Sequence, residues 1–171
     1  MALRNILEVG DTTLNKISRT ITDYNKRLHI LLDDMRETLI QSGGVGLAAP
    51  QVGILRRAVL VMDINQTDKT PEEQIIELIN PEIIIKGGEQ KGPEGCLSLP
   101  NKFGLVTRPM YVTVRANDRF GNVFEIKGEG LTARAFCHEI DHLNGHIFTE
   151  FAEKMLTEEE LNKWYGEDEK A

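Results

Sequence analysis

Four residues able to ligate a metal fall within the ten positions CHEIDHLNGH: Cys137, His138, His142 and His146. His138 and His142 are four apart, so a helix would set both imidazoles on one face, one turn apart. Glu139 follows the first of them and completes His-Glu-x-x-His. In metal hydrolases that arrangement places two histidines on the ion and the glutamate as base to a bound water. A catalytic site usually takes three protein ligands and leaves one position open. Cys137 points roughly 100° around the helix from His138, and His146 lies about 12 Å further along the axis. Neither reaches the same ion. The protease pattern His-Glu-x-x-His-x-x-Gly-x-x-His has Gly145 in place but Phe148 in its last position, and Phe148 cannot ligate.

The third ligand must then come from elsewhere, and Cys96 is the best candidate. It stands in EGCLSLP (94–100), among turn residues and outside any helix or clean strand pattern. A single free cysteine is more often a small buried hydrophobe. Here a ligand is missing, and a thiolate is a soft donor suited to Zn or Fe.

A second stretch, GGVGLAAPQVG (43–53), formally fits the dinucleotide fingerprint. A helix precedes it where that motif needs a strand, and Pro50 blocks a helix from starting there. It is better read as a tight loop that walls a cleft. Gln51 at its end carries an amide able to donate to a developing oxyanion.

These residues need elements to hold them. Residues 24–39 read as a helix, with Tyr24, Leu28, Leu31, Leu32, Met35 and Leu39 in one stripe, Asp23 as N-cap and Gly43-Gly44 as the stop. AVLVMDI (58–64) reads as a buried strand, and IIELINPEIII (75–85) as two strand pieces broken at Asn80-Pro81. MYVTVRAND and VFEIKGEG flank a turn at 119–122 and predict a hairpin. The metal motif rides a helix from about Leu131 to Leu143, stopped by Asn144-Gly145. Thr157 and Glu160 stand at capping-box spacing and predict a short C-terminal helix. There are no repeats and no low-complexity linker, and helix, strands, helix favours a single α+β domain over residues 1–171.

Composition limits the function classes. The 171 residues suit one domain. Twenty Lys and Arg stand against 27 Asp and Glu, a net charge of −7 with no basic stripe, which argues against direct binding of nucleic acid. No stretch has the pattern of a secretory signal or the length of a membrane span. Two cysteines make no disulfide framework, so a reduced cytoplasmic protein is expected, or an organellar one after loss of a transit peptide.

Three segments, GVGLAAPQ (44–51), EGCLS (94–98) and HEIDH (138–142), resemble in order and spacing the signature motifs of the peptide deformylases. The resemblance runs to about residue 151. It implies an α+β fold with sheets wrapped around the motif helix. It implies hydrolytic removal of the formyl group from N-formylmethionyl nascent peptides, with release of formate. One Fe(II) ion per chain is implied on Cys96, His138 and His142, with Zn, Ni or Co able to substitute. Glu139 is implied as general base and later proton donor, and the Gln51 side chain and Leu97 backbone N–H as oxyanion donors. A methionine side chain wants an adaptable apolar pocket. Val45, Gly46, Leu131 and Ala135 are its candidate walls.

Two departures stand out. Cys137 occupies a position that is often Gln in the family, and it puts a thiol near the iron site. Some bacterial members contact the ribosome transiently through a basic C-terminal helix. Here residues 157–171 hold six acidic and two basic residues, and the acidic tail begins at about 155. No candidate site residue falls in that tail, so removal of residues 157–171 is expected to spare activity on short formylated peptides. Two other readings share parts of the pattern: a zinc endopeptidase, which lacks its third ligand at Phe148, and a structural metal site, which would need a fourth protein ligand.

Overall fold

A computed structural model describes residues 2–170, with side-chain surroundings given as far as residue 166. The apolar stripe of Leu28, Leu31, Leu32, Met35 and Leu39 is buried on helix α1 (Lys26–Ser42). The helix begins later than its stripe suggests. Asn25, not Asp23, is the N-cap, and its side chain accepts from the Leu28 N–H at 3.1 Å. Gly43 ends the helix with φ 73°, a left-handed cap that glycine takes without strain. The elements that follow are β1 (Gly46–Ala48), β2 (Ala58–Met62), α2 (Pro71–Gln74), β3 (Ile75–Gly87) and β4 (Gln90–Cys96). They continue with β5 (Leu99–Arg108), β6 (Tyr111–Asn117), β7 (Val123–Glu129), α3 (Leu131–Leu143) and α4 (Glu158–Lys170).

Five strands form one antiparallel sheet in the order β1-β2-β3-β6-β7, and β4-β5 form a separate hairpin. At β2 the sheet is buried on both faces. Its Ala58 and Leu60 pack with the α1 stripe, while Val59 and Val61 pack with Ala133, Phe136, Ile140 and Leu143 of α3. This is the two-residue alternation of a strand with a helix on either side. On its other side α3 meets the β4-β5 hairpin and a third cluster of Leu14, Val106, Ile147 and Phe148. Eleven of its thirteen residues are buried, so the motif helix is the centre of the molecule, as the resemblance implied.

Three local expectations are corrected. Residues 75–85 are one strand: Asn80 takes φ 50° inside a bulge between Ile79 and Glu82, and Pro81 sits in that bulge, where no ladder N–H is required. Asn80 is held by its side chain, which bonds both the N–H and the C=O of Ile21 at 2.9 Å. The glycine-rich stretch is only partly a loop. Gly46–Ala48 pairs with β2, and Ala49–Val52 is a single 3-10 turn whose first residues include Pro50, where a missing N–H costs nothing. Cys96 is in a strand after all, as the last residue of β4, paired with Leu99 across the turn at Leu97 and Ser98. The stop at Asn144-Gly145 holds. Gly145 has φ 78°, and a Cβ there would lie 2.5 Å from the Asn15 carbonyl oxygen.

Candidate metal centre

α3 delivers both histidines, and the tip of the β4-β5 hairpin delivers the thiol. Among the described residues, Cys96, His138 and His142 form the grouping whose ligand atoms all lie within 4.8 Å of one another. Cys96 Sγ is 3.4 Å from His142 Nε2. A tetrahedral ion with bonds of about 2.0–2.3 Å sets its ligands roughly 3.3–3.7 Å apart, so the pair fits a single ion. The imidazoles stand edge to face, with centroids 5.0 Å apart. Burial pushes His142 down to about 3, which keeps it in the neutral form that ligates.

Behind the ligands lies a buried charged network that the motif reading missed. Glu94 Oε2 accepts from His138 Nδ1 and from Arg108 Nη2, both at 2.7 Å. Glu94 Oε1 accepts from Arg108 Nε and Arg134 Nη1, both at 3.0 Å. Arg108 continues to Asp141 at 2.7 Å. Burial pushes the Glu94 carboxyl up, but the bonds from His138 and Arg108 outweigh it and hold it well below the usual carboxylate range. The ionised carboxylate fixes a proton on His138 Nδ1 and turns Nε2 toward the site. The signal was present in EGCLS: residues two apart on a strand share a face, so Glu94 and Cys96 look the same way.

Glu139 lies between the ligands. Its Oε1 is 3.9 Å from His138 Nε2 and 4.0 Å from His142 Nε2. Its Oε2 is buried with no hydrogen-bond partner among the described residues. Burial pushes this carboxyl up to about 7, near the operating range of a proton carrier. Gln51 is buried and bridges two elements. Its Oε1 accepts from the Ala48 N–H at 2.9 Å, and its Nε2 donates to Ser98 Oγ at 3.0 Å and to Cys96 Sγ at 3.5 Å.

A cleft of about 570 Å³ opens onto this point. Val45, Gly46, Leu131 and Ala135 all line it, together with Cys96, Leu97, His138 and Glu139. Phe103, Asn101 and Tyr165 line it as well, and none of them was singled out from the sequence. The two excluded ligands go elsewhere. Cys137 is buried in the core between α3 and the sheet, and burial pushes its thiol up to about 11. His146 is half exposed and pairs with Glu150 at 3.3 Å. Phe148 stacks on the His138 ring at 6.0 Å, backing the ligand where a protease would have its third histidine.

One thiol and two imidazoles around a point, a buried carboxyl group beside them and a cleft in an α+β frame define a metal-dependent hydrolase. Residues 3–158 match the family profile described as polypeptide deformylase. The chain is 56% identical over 150 residues to the peptide deformylase of Lachnoclostridium phytofermentans, covering 88% of this chain and 89% of that one. It is 46% identical over 166 residues to peptide deformylase 1 of Bacillus subtilis, covering 97% of this chain and all of that one. The crystal structure of a peptide deformylase from Legionella pneumophila superposes with a TM-score of 0.81 at 37% identity, over 99% of both chains. That from Thermotoga maritima gives 0.82 at 33% identity, over 90% of this chain and all of the other. The chain belongs to the polypeptide deformylase family, whose metal-dependent members remove N-formyl groups from nascent peptides.

Proposed function

We propose that this chain deformylates N-terminal formyl-methionine with one Fe(II) ion on Cys96, His138 and His142, and with Glu139 as its proton carrier. The observation that carries the reading is the place of Glu139. Its Oε1 is about equally far from the two histidine Nε2 atoms, at 3.9 and 4.0 Å, and it opens on the cleft. A divalent ion held by Cys96, His138 and His142 would supply an acidified water near neutral pH and a Lewis acid for the formyl group.

The remaining work falls to side chains. Glu139 takes the proton of the attacking water and hands it to the leaving amine, so a formamide and water become an amine and formate. The oxygen that gains negative charge receives the Leu97 backbone N–H and one N–H of Gln51. The Gln51 N–H that now meets Cys96 Sγ at 3.5 Å is the weaker of its two bonds and the easier to redirect. Val45, Gly46, Leu131 and Ala135 wall the methionine pocket. Domain, site and substrate coincide: residues 1–171 are one catalytic domain closed by α4.

The enzyme acts on nascent chains in the bacterial cytoplasm. Among the described residues no helix is long and apolar enough to cross a membrane. Any ribosome contact is transient and avoids the first turn of α4, where Glu158, Glu159 and Glu160 would face RNA phosphates. The side chains of Glu167, Asp168 and Glu169 lie outside the described residues. Incubation with formyl-Met-Ala-Ser should release formate and leave the peptide bonds whole. Cleavage within unformylated peptides, or no formate at all, would sink the reading.

A further inference from the structure

The C-terminal helix reaches the cleft. Residues 153–156 run beside β5: Glu153 N–H donates to the Leu105 carbonyl at 2.9 Å, Leu105 N–H to the Lys154 carbonyl at 2.9 Å, and Leu156 N–H to the Phe103 carbonyl at 2.8 Å. Close packing holds this strip. A Cβ at Gly104 would lie 2.8 Å from Ala152 Cβ and 3.3 Å from Met155 Sδ. Thr157 and Glu160 then cap α4 reciprocally, at 3.1 and 3.3 Å, and Lys154 pairs with Glu160. The helix therefore leaves the body in a fixed direction. Leu161, Trp164 and Tyr165 stand at i, i+3 and i+4 and share one side of it. Leu161 and Trp164 are half-buried, whereas Tyr165 keeps 48% exposure and lines the cleft that holds Cys96, His138 and Glu139.

The cleft is larger than the formylated residue needs. Its volume of about 570 Å³ lies within the ~300–1,000 Å³ that accommodates drug-sized ligands. Pro100 and Asn101 extend the lining on β5, where three residues, 100–102, bulge out between the pairs Gly95–Phe103 and Cys96–Leu99. Asn101 takes φ 63° within that bulge. A bulge beside a site re-aims its side chains. An exposed aromatic ring at the cleft lining offers a large apolar face with a polar tip, a surface suited to a peptide side chain.

We infer that Tyr165 is a specificity-determining residue: its ring packs against the peptide downstream of the formylated methionine. This rests on the deformylase reading and adds a contact from an element in which the sequence placed no site residue. On this inference the expected dispensability of the tail depends on the length of the substrate. The tail is dispensable for a single formylated residue and not for a longer chain.

The test compares formyl-methionine amide with formyl-Met-Ala-Ser. Tyr165→Ala should lose kcat/KM mainly through KM, and the loss should grow from the amide to the tripeptide, reaching roughly five- to tenfold. Tyr165→Phe should keep most of the parent's preference for length. A third variant guards against a merely structural effect: Tyr165→Lys should favour formyl-Met-Ala-Glu over formyl-Met-Ala-Ala relative to the parent. Equal losses on both substrate lengths, or no shift of Tyr165→Lys toward the acidic peptide, would overturn the role of Tyr165 while the parent remains an active deformylase. A parent that releases no formate from either length would overturn the underlying reading as well.

Discussion

Gly46 lies bare against Glu139: a Cβ built on Gly46 would stand 2.8 Å from Glu139 Cγ and 2.9 Å from Oε2. β1 can therefore press on the carboxylate only because position 46 has no side chain. Gly46→Ala should shift Glu139 while leaving the ligands in place. A displacement of this order near the reacting atoms costs about 10²-fold in turnover. Metal content should match the parent's, and a variant with parental kcat would show that Glu139 has room to spare.

Glu139→Gln should bind metal as the parent does and lose roughly 10²–10⁴ of its turnover, the usual cost of removing a proton carrier. Because Oε2 has no partner among the described residues, the amide forfeits no hydrogen bond there. Melting should stay near the parent's. Full turnover at full occupancy would remove Glu139 from the mechanism.

The two cysteines should separate cleanly. Cys96→Ala removes one of the three atoms proposed to hold the metal and should sharply lower bound metal. Cys137→Ala should keep the metal and cost on the order of 1 kcal/mol of stability, because its sulfur packs in the core. Metal analysis and urea melts decide it, and equal metal loss in both would refute the ligand assignment.

The metal itself should matter more for rate than for binding. A thiolate with two imidazoles accepts both Zn(II) and Fe(II), and the affinity order favours Zn(II). Zn(II) stays four-coordinate in most protein sites, whereas Fe(II) takes a fifth ligand more readily. Fe(II) protein prepared without air should give the highest kcat/KM and lose it on exposure to oxygen, since Cys96 can be oxidised. Co(II) or Ni(II) protein should be active and stable in air. Zn(II) protein as fast as Fe(II) protein at equal occupancy would contradict this.

Glu77 ties α1 to the sheet far from the cleft. It accepts from Arg36 at 2.7 Å and from Arg119 at 2.6 Å. Burial pushes its carboxyl up, but the bonds from Arg119 and Arg36 outweigh that and hold it below the ordinary 4.5. With the folded value depressed, its contribution is full above about 4.5 and disappears as pH falls through the folded value. Glu77→Gln should destabilise by roughly 1–3 kcal/mol at neutral pH, and the gap to the parent should narrow in acid. Urea unfolding from pH 7 down to about 3.5 measures it; a gap independent of pH would contradict the assignment.

The candidate site was legible in the sequence because it depends on local spacing. His138, Glu139 and His142 lie within one and a half turns of a helix whose bounds, 131–143, were readable from its own pattern. The exclusion of Cys137 and His146 followed from the same helical arithmetic. Short-range turn chemistry also carried the α1 stop at Gly43 and the cap at Thr157 and Glu160. The choice of Cys96 needed only a missing ligand and one exceptional cysteine.

Long-range placement was not legible, because no periodicity records which element packs on which. The β4-β5 hairpin has glycines and prolines where a strand pattern wants branched residues, so its pairing is visible only in space. Tertiary contact alone converted Asn80-Pro81 from a break into a bulge, through side-chain bonds from Asn80 to Ile21, 59 residues away. It also set Glu94 behind His138, 44 residues apart in the chain, and brought Tyr165 from the last helix to the lining of the cleft. A side chain's type and spacing state what it can do, but only the folded chain, which buries some charges together and leaves the Tyr165 ring exposed at the cleft, decides what it faces.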